Sequence, residues 1–160
     1  MKVLGVDPGG GGALALLSPS GLEIADMPVF LVQRGKSAKA ELDTHALIAM
    51  LAAWSPDVCY FEQVGGIPGQ SAPAAFNFGR IAGACEAVVK ASGARFVFTP
   101  PRVWKKAMGV SGDKDEARAK ATNLFPARAA DFRRKKDDGR AEAALLAEYG
   151  RRLEQGNIFS

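Results

Sequence analysis

The sequence predicts an α/β fold: a five-stranded mixed sheet of three antiparallel strands followed by alternating helix and strand, flanked by helices. Three observations carry this. Three short apolar runs, separated by turn signals, fill the first 27 residues. A wholly apolar run, Val58-Cys59-Tyr60-Phe61, then ends on Glu62, as a strand buried on both faces does. From there helical and extended patterns alternate, which lays helices over a sheet.

The elements follow in order. Lys2 to Asp7 reads as a strand, Gly9 to Gly12 as a turn, and Ala13 to Leu17 as a second strand. Ser18-Pro19-Ser20-Gly21 is a strong turn signal. Leu22 to Met27 alternates as a third strand, completing a meander. Pro28 to Leu42 reads as a polar, mobile connection. Asp43 caps a helix over Thr44 to Trp54, with Leu47, Ile48 and Leu51 on one face. Pro56-Asp57 breaks it before the strand Val58 to Glu62. Gln63 to Ala72 is a Gly- and Pro-rich loop. Pro73 to Ser92 is the longest helix, rich in small residues and stopped by Gly93. Arg95 to Phe98 is a fifth strand, ended by Pro100-Pro101. Short helices over Val103 to Met108 and Asp113 to Leu124 follow, joined by the loop Gly109 to Gly112. Gly139 to Leu153 is the last helix, and Gln155 to Ser160 a frayed tail. The order is β-β-β-α-β-α-β-α-α.

A length of 160 residues suits one domain with one core, taken as residues 1–160. The net charge of +4 says less than its distribution. Arg95 to Lys136 holds 12 Lys/Arg against 4 Asp/Glu, a balance of +8 that leaves −4 for the rest of the chain. A basic half beside acidic site residues suits a nucleic-acid partner, although a solvated helical surface has the same composition. Cys59 and Cys85 lie in apolar segments without metal-ligand spacing and read as small core residues. No signal peptide or membrane-length apolar run is present, so a soluble intracellular protein is expected.

The acidic residues carry the chemistry. Asp7 ends the run Val3-Leu4-Gly5-Val6, Glu62 ends Val58 to Phe61, and Asp137, Asp138 and Glu142 open the last helix after Arg133-Arg134-Lys135-Lys136. A carboxylate at the end of a buried strand is costly unless a cation or hydrogen bonds compensate it. Carboxylates gathered around Mg²⁺ and aimed at a phosphodiester would account for all three places. Asp138 and Glu142, four apart, share a helix face, whereas Asp137 points elsewhere. Each acid also has a plainer reading. Asp7-Pro8-Gly9 suits a turn, Glu62 suits an arginine partner, and Asp137 or Asp138 suits a helix cap. Together those readings must explain two carboxylates at the ends of apolar strands. Gly9 to Gly12 suits a phosphate cradle, but no Walker A pattern is present. His45 reads as a surface residue, and Trp54 and Trp104 as packing. Phe76 and Phe78 cannot share a helix face.

Leu4-Gly5-Val6-Asp7-Pro8-Gly9, Phe61-Glu62-Gln63-Val64 and the acidic opening of the last helix resemble the RuvC family of Holliday junction resolvases, with its ribonuclease H-like fold. Pro68-Gly69-Gln70, Phe76-Asn77-Phe78-Gly79-Arg80 and Asp138-Gly139-Arg140-Ala141-Glu142-Ala143 resemble its phage-encoded branch. The likeness runs from about Lys2 to Gly150.

The resemblance implies a crossover junction endodeoxyribonuclease of DNA recombination and repair, cytoplasmic in a bacterial host and phage- or prophage-encoded. Asp7, Glu62, Asp138 and Glu142 are then the catalytic metal ligands, with Asp137 a further candidate. Two Mg²⁺ ions, replaceable by Mn²⁺, are implied. Water attacks in line and leaves a 5′-phosphate and a 3′-hydroxyl. One departure stands out. Bacterial members carry two aspartates three apart in the last motif, and here Gly139 occupies the first of those positions. Lys105, Lys106 and Lys114 match lysines near the scissile phosphate, with Lys105 and Lys114 in catalytic roles. Arg133, Arg134, Lys135 and Lys136 are expected to track the DNA backbone. The loop Gln63 to Ser71 would face the junction centre and lacks the aromatic that bacterial relatives insert between bases. Paired nicking implies a homodimer, formed through the small-residue helix. A non-catalytic branched-DNA-binding protein and an actin-like or sugar-kinase-like ATPase are the alternatives. Binding without cleavage would identify the first, and ATP binding the second.

Overall fold

The computed structural model describes residues 1–66 and 68–156, with Arg34 described by its backbone alone. Most of the tail expected to fray, and one residue of the loop Gln63 to Ser71, therefore lie outside the described residues.

Strands β1 (Val3–Asp7), β2 (Ala13–Ser18) and β3 (Gly21–Asp26) form the antiparallel meander. A hairpin, β4 (Val29–Arg34) and β5 (Ser37–Leu42), follows, then α1 (Thr44–Trp54). Strand β6 (Val58–Glu62) lies parallel to β1, α2 (Ala72–Ala91) crosses over, and β7 (Arg95–Thr99) lies parallel to β6. The main sheet has the order β3-β2-β1-β6-β7. Helices α3 (Pro101–Met108), α4 (Lys114–Leu124) and α5 (Asp138–Glu154) complete the fold, with short 3₁₀ segments Pro126–Phe132 and Lys135–Asp137 before α5.

Side-chain alternation along the strands divides the core into two layers. Val3, Ala13, Ala15 and Tyr60 face Ala144, Leu145 and Ala147 of α5, with Trp104 and Met108 of α3 and Ala117 and Ala121 of α4 in the same layer. Leu4, Val6, Leu14, Cys59 and Phe61 face Leu47 and Leu51 of α1 and Ile81, Cys85 and Val89 of α2. Helix α5 rides on β1 because Gly5 has no side chain. A Cβ there would lie 2.1 Å from the Ala143 carbonyl oxygen. Gly150 makes the same allowance for the Tyr60 ring, 2.3 Å from where its Cβ would be. Close packing of this helix fixes where its first turn meets the sheet.

The structure corrects the sequence in one segment. Pro28 to Leu42, expected to be a mobile connection, is an ordered hairpin outside the main sheet. Val29-Phe30-Leu31-Val32 is a strong strand run. Its partner strand β5 lies against α2, and the Gly35-Lys36 turn closes the pair, while Phe30 and Leu31 stay exposed. No helix among the described residues is long and apolar enough to cross a membrane.

Candidate metal centre

Strands β1 and β6 pair with Val6 opposite Phe61, so the next residues, Asp7 and Glu62, end neighbouring central strands side by side. The third carboxylate comes from α5, whose close approach over Gly5 brings Glu142 to the same point. One oxygen each of Asp7, Glu62 and Glu142 lies within 4.8 Å of the others. That donor set suits a hard divalent cation, which takes carboxylate oxygens and keeps several waters.

The electrostatics favour the same occupant. Burial first, then the charges of Glu142, Glu62 and Asp138, push the Asp7 carboxyl well above the usual carboxylate range, and Lys105 only partly offsets them. Burial and Glu142 also raise Glu62, against a hydrogen bond from Trp104 and the charge of Lys105. Carboxylates that crowd one another in this way relax when a cation binds among them.

Two glycines make room for this. A Cβ on Gly139 would lie 2.7 Å from the Gly11 carbonyl oxygen and 3.0 Å from Asp7 Oδ2. A Cβ on Gly12 would lie 2.0 Å from the Asp7 carbonyl oxygen. The first turn of α5 therefore presses directly on the loop after β1, with no room for an acidic side chain at position 139. The Gly12 N–H is spent on the Gly9 carbonyl at 3.1 Å, so it closes a turn and does not point into a phosphate cradle.

The acids that open α5 part company. Asp138 forms an ion pair with Lys114 and lies near enough to Asp7 to raise it. Asp137 turns the other way. It is 2% exposed and accepts from the Arg134 backbone N–H at 2.8 Å and from the Arg134 guanidinium at 2.8 and 3.1 Å. Arg134 holds its carboxyl below the usual range. The structure thus leaves Asp137 out of the metal centre and makes it the brace of the turn that starts α5.

Among the basic candidates, Lys105 donates to Glu142 Oε1 at 2.7 Å and Lys114 pairs with Asp138, so both reach the carboxylates. Lys106 faces solvent. Arg133, Lys135 and Lys136 are exposed and have no ion pair among the described residues, whereas Arg134 is engaged by Asp137. Trp104 was expected only to pack. It is fully buried, and its Nε1–H also donates to Glu62 Oε1 at 2.9 Å, which fixes that carboxylate's rotation. Sequence reasoning missed this role because the partners stand 42 positions apart. The one local signal is that Trp104 precedes Lys105. Phe78 turns partly inward and Phe76 stays 70% exposed, as two positions on different helix faces must. His45 is exposed.

The assembled features define an α/β chain with an acidic centre where its two central parallel strands end. No protein-family model matches the chain, and no curated protein does. Solved structures do. T. thermophilus RuvC in complex with Holliday junction substrate matches with a TM-score of 0.64 at 14% identity, over 98% of this chain and 97% of that one. A Thermus thermophilus RuvC structure matches with a TM-score of 0.58 at 19% identity, over 96% and 97%. At these identities the likeness is one of fold: the chain has the ribonuclease H-like fold of the RuvC-type resolvases.

Proposed function

We propose that this chain is a metal-dependent, structure-selective endodeoxyribonuclease that resolves four-way DNA junctions by paired nicks. One observation carries the reading: on a RuvC-type fold, three carboxylates from three separate elements converge within 4.8 Å at the ends of the central strands. Asp7, Glu62 and Glu142 would hold the cation, with Asp138 at its edge. A bound Mg²⁺, or a pair of them, supplies Lewis-acid activation of water and neutralises charge on the phosphodiester.

The chain's own groups do the rest. Trp104 holds Glu62 in one rotation. Lys105 and Lys114 balance Glu142 and Asp138 while the carboxylates lack another cation. Once their acids are compensated, these ammonium groups are free to meet a phosphate oxygen and to stabilise the charge that develops during attack. The exposed cations Lys106, Arg133, Lys135 and Lys136 suit contacts to the DNA backbone. Two-fold cutting asks for two copies. Helix α2 offers a face for this: Phe76 is exposed, and Gly79 and Gly83 have nothing within 4 Å of their missing Cβ atoms.

The test is cleavage of a synthetic four-way junction, beside linear duplex, in Mg²⁺ and in EDTA, with wild type and Glu62→Gln. Metal-dependent symmetric nicking of the junction, lost in Glu62→Gln while binding persists, is expected. A second reading rests on the ion pairs Lys105–Glu142 and Lys114–Asp138, which satisfy two acids without any metal. A non-catalytic junction-binding protein would bind tightly and cleave in neither Mg²⁺ nor Mn²⁺.

A further inference from the structure

The β4–β5 hairpin is not needed to close the main sheet, and its base stands beside the metal centre. The Asp43 N–H donates to the Pro28 carbonyl at 2.8 Å, which brings the two ends of the hairpin together. The Met27 N–H donates to the Gly12 carbonyl at 3.0 Å, and the Ala40 Cβ lies 3.6 Å from where a Cβ on Gly10 would be. The base is thus seated on the loop that follows Asp7. Asn77 of α2 donates to the Ala40 carbonyl at 3.2 Å and secures the other side.

Beyond this base the hairpin projects into solvent. Leu31 is 74% exposed and Phe30 48%, and these two paired-strand residues face opposite sides. Gln33, Lys36, Ser37 and Ala38 are also exposed. Two bare strands are marginal in water without a covering surface. The segment carries Arg34, Lys36 and Lys39 against one acid, Glu41, which lies 3.6 Å from Arg80. Lys36 and Lys39 have no ion pair among the described residues.

Position supplies the occupant. Lys105 and Lys114 belong to α3 and α4, which pack on the α5 face of the sheet. The hairpin's Leu42 and Ala40 pack with the layer on the opposite face. The hairpin and the helices that carry Lys105 and Lys114 therefore belong to opposite faces of the sheet. A branched DNA leaves its cleavage point in more than one direction, so it presents phosphates on both sides at once. A two-stranded ribbon also fits a major groove.

Resting on the nuclease reading above, we propose that the β4–β5 hairpin is a second DNA-contacting arm, which lies along a duplex arm of the branched substrate. Lys36 and Lys39 meet its phosphates, and Phe30, which shares the Lys39 face of the pair, meets its apolar sugar and base surface.

The experiment is a binding titration of labelled four-way junction in EDTA across a range of salt, for wild type and Lys36→Ala/Lys39→Ala. Each lost phosphate contact removes roughly 0.9 from the slope of log affinity against log salt, so the slope becomes shallower by about 1.8. The loss of affinity should be greater for the junction than for linear duplex. Unchanged slope and affinity overturn the proposal. A photo-crosslinker at Phe30→Cys gives an independent reading, since the native Cys59 and Cys85 are buried. Crosslinks into a DNA arm support the hairpin's role, and crosslinks only to a second copy of the chain overturn it. A wild type that binds no DNA removes the nuclease reading and the hairpin's role together. A wild type that binds and nicks beside an indistinguishable double variant removes the hairpin's role alone.

Discussion

Two groups of buried carboxylates make the useful comparison. Asp137 and Glu148 are 2% and 5% exposed, and each is answered by arginine. Glu148 accepts from Arg151 at 2.7 Å and from Arg152 at 2.8 Å, bonds that outweigh its burial and hold it below the usual range. Glu62, at 7%, accepts from the neutral Trp104 N–H, and half-buried Asp7 faces other carboxylates; desolvation first, then the neighbouring acids, push both upward. The chemical group is the same in both places. In one, the fold supplies the counter-charge and the acid serves structure. In the other, Lys105 offsets the acids only in part, and a bound cation would complete the compensation.

The strongest test of this contrast is Glu62→Gln. It should lower the nicking rate about 10³-fold or more and leave junction binding intact, as measured by single-turnover cleavage beside a binding titration. Next is Glu148→Gln in the arginine-held group. It should leave nicking unchanged and cost about 1–2 kcal/mol of stability by denaturant titration, discounted because both arginines are partly exposed. Trp104→Phe removes the donor to Glu62 and keeps one aromatic ring in place of the buried indole. Metal affinity should weaken on the order of 10-fold, read by isothermal titration with Mg²⁺ or Mn²⁺, with little change in fold.

The smallest effect is the most diagnostic, because the two groups should answer pH with opposite signs. Asp7 and Glu62 have raised folded pKa values, so the native state keeps protons that the unfolded chain has released. Without metal, stability should therefore fall as pH rises from the ordinary carboxylate value of about 4 through the raised ones. Saturating Mg²⁺ should flatten that fall, since cation and proton compete for the same oxygens. Asp7→Asn should remove part of it and raise the metal-free Tm at neutral pH, by about 2–4 °C for each kcal/mol of repulsion relieved. Asp137 and Glu148 have lowered values, so their contribution is present above the ordinary carboxylate pKa and is lost as pH falls through the folded one. Thermal melts across pH, with EDTA and with Mg²⁺, separate the two. If Asp7→Asn melts lower than wild type in EDTA at neutral pH, the repulsion argument fails.

Much of the fold was legible in the chain because its signals are local. Apolar runs, Pro and Gly punctuation and the cap Asp43 mark elements within a few residues of themselves. The hairpin was readable too, in Val29 to Val32 and the turn at Gly35, but the lysines and polar residues around it masked the pattern. Asp7 and Glu62 stood out because a carboxylate closing an apolar strand is anomalous wherever the strand goes. Asp137 and Asp138 could not be told apart along the chain. Adjacent residues on a starting helix point about 100° apart, and which direction meets the sheet depends on packing. Gly139 looked like a missing acid, and only the position of Gly11 and Asp7 against it gives the reason: an added side chain has nowhere to go.

The sequence by itself determined the alternation of elements, the acids that close β1 and β6, and the basic stretch from Arg95 to Lys136. Each depends on residue type and near neighbours. Tertiary structure alone decided that Glu142 joins Asp7 and Glu62. It also decided that Trp104 steadies Glu62 from 42 positions away. The first of these outcomes rests on the close approach of α5 over Gly5, a contact between segments more than a hundred residues apart that no local pattern encodes.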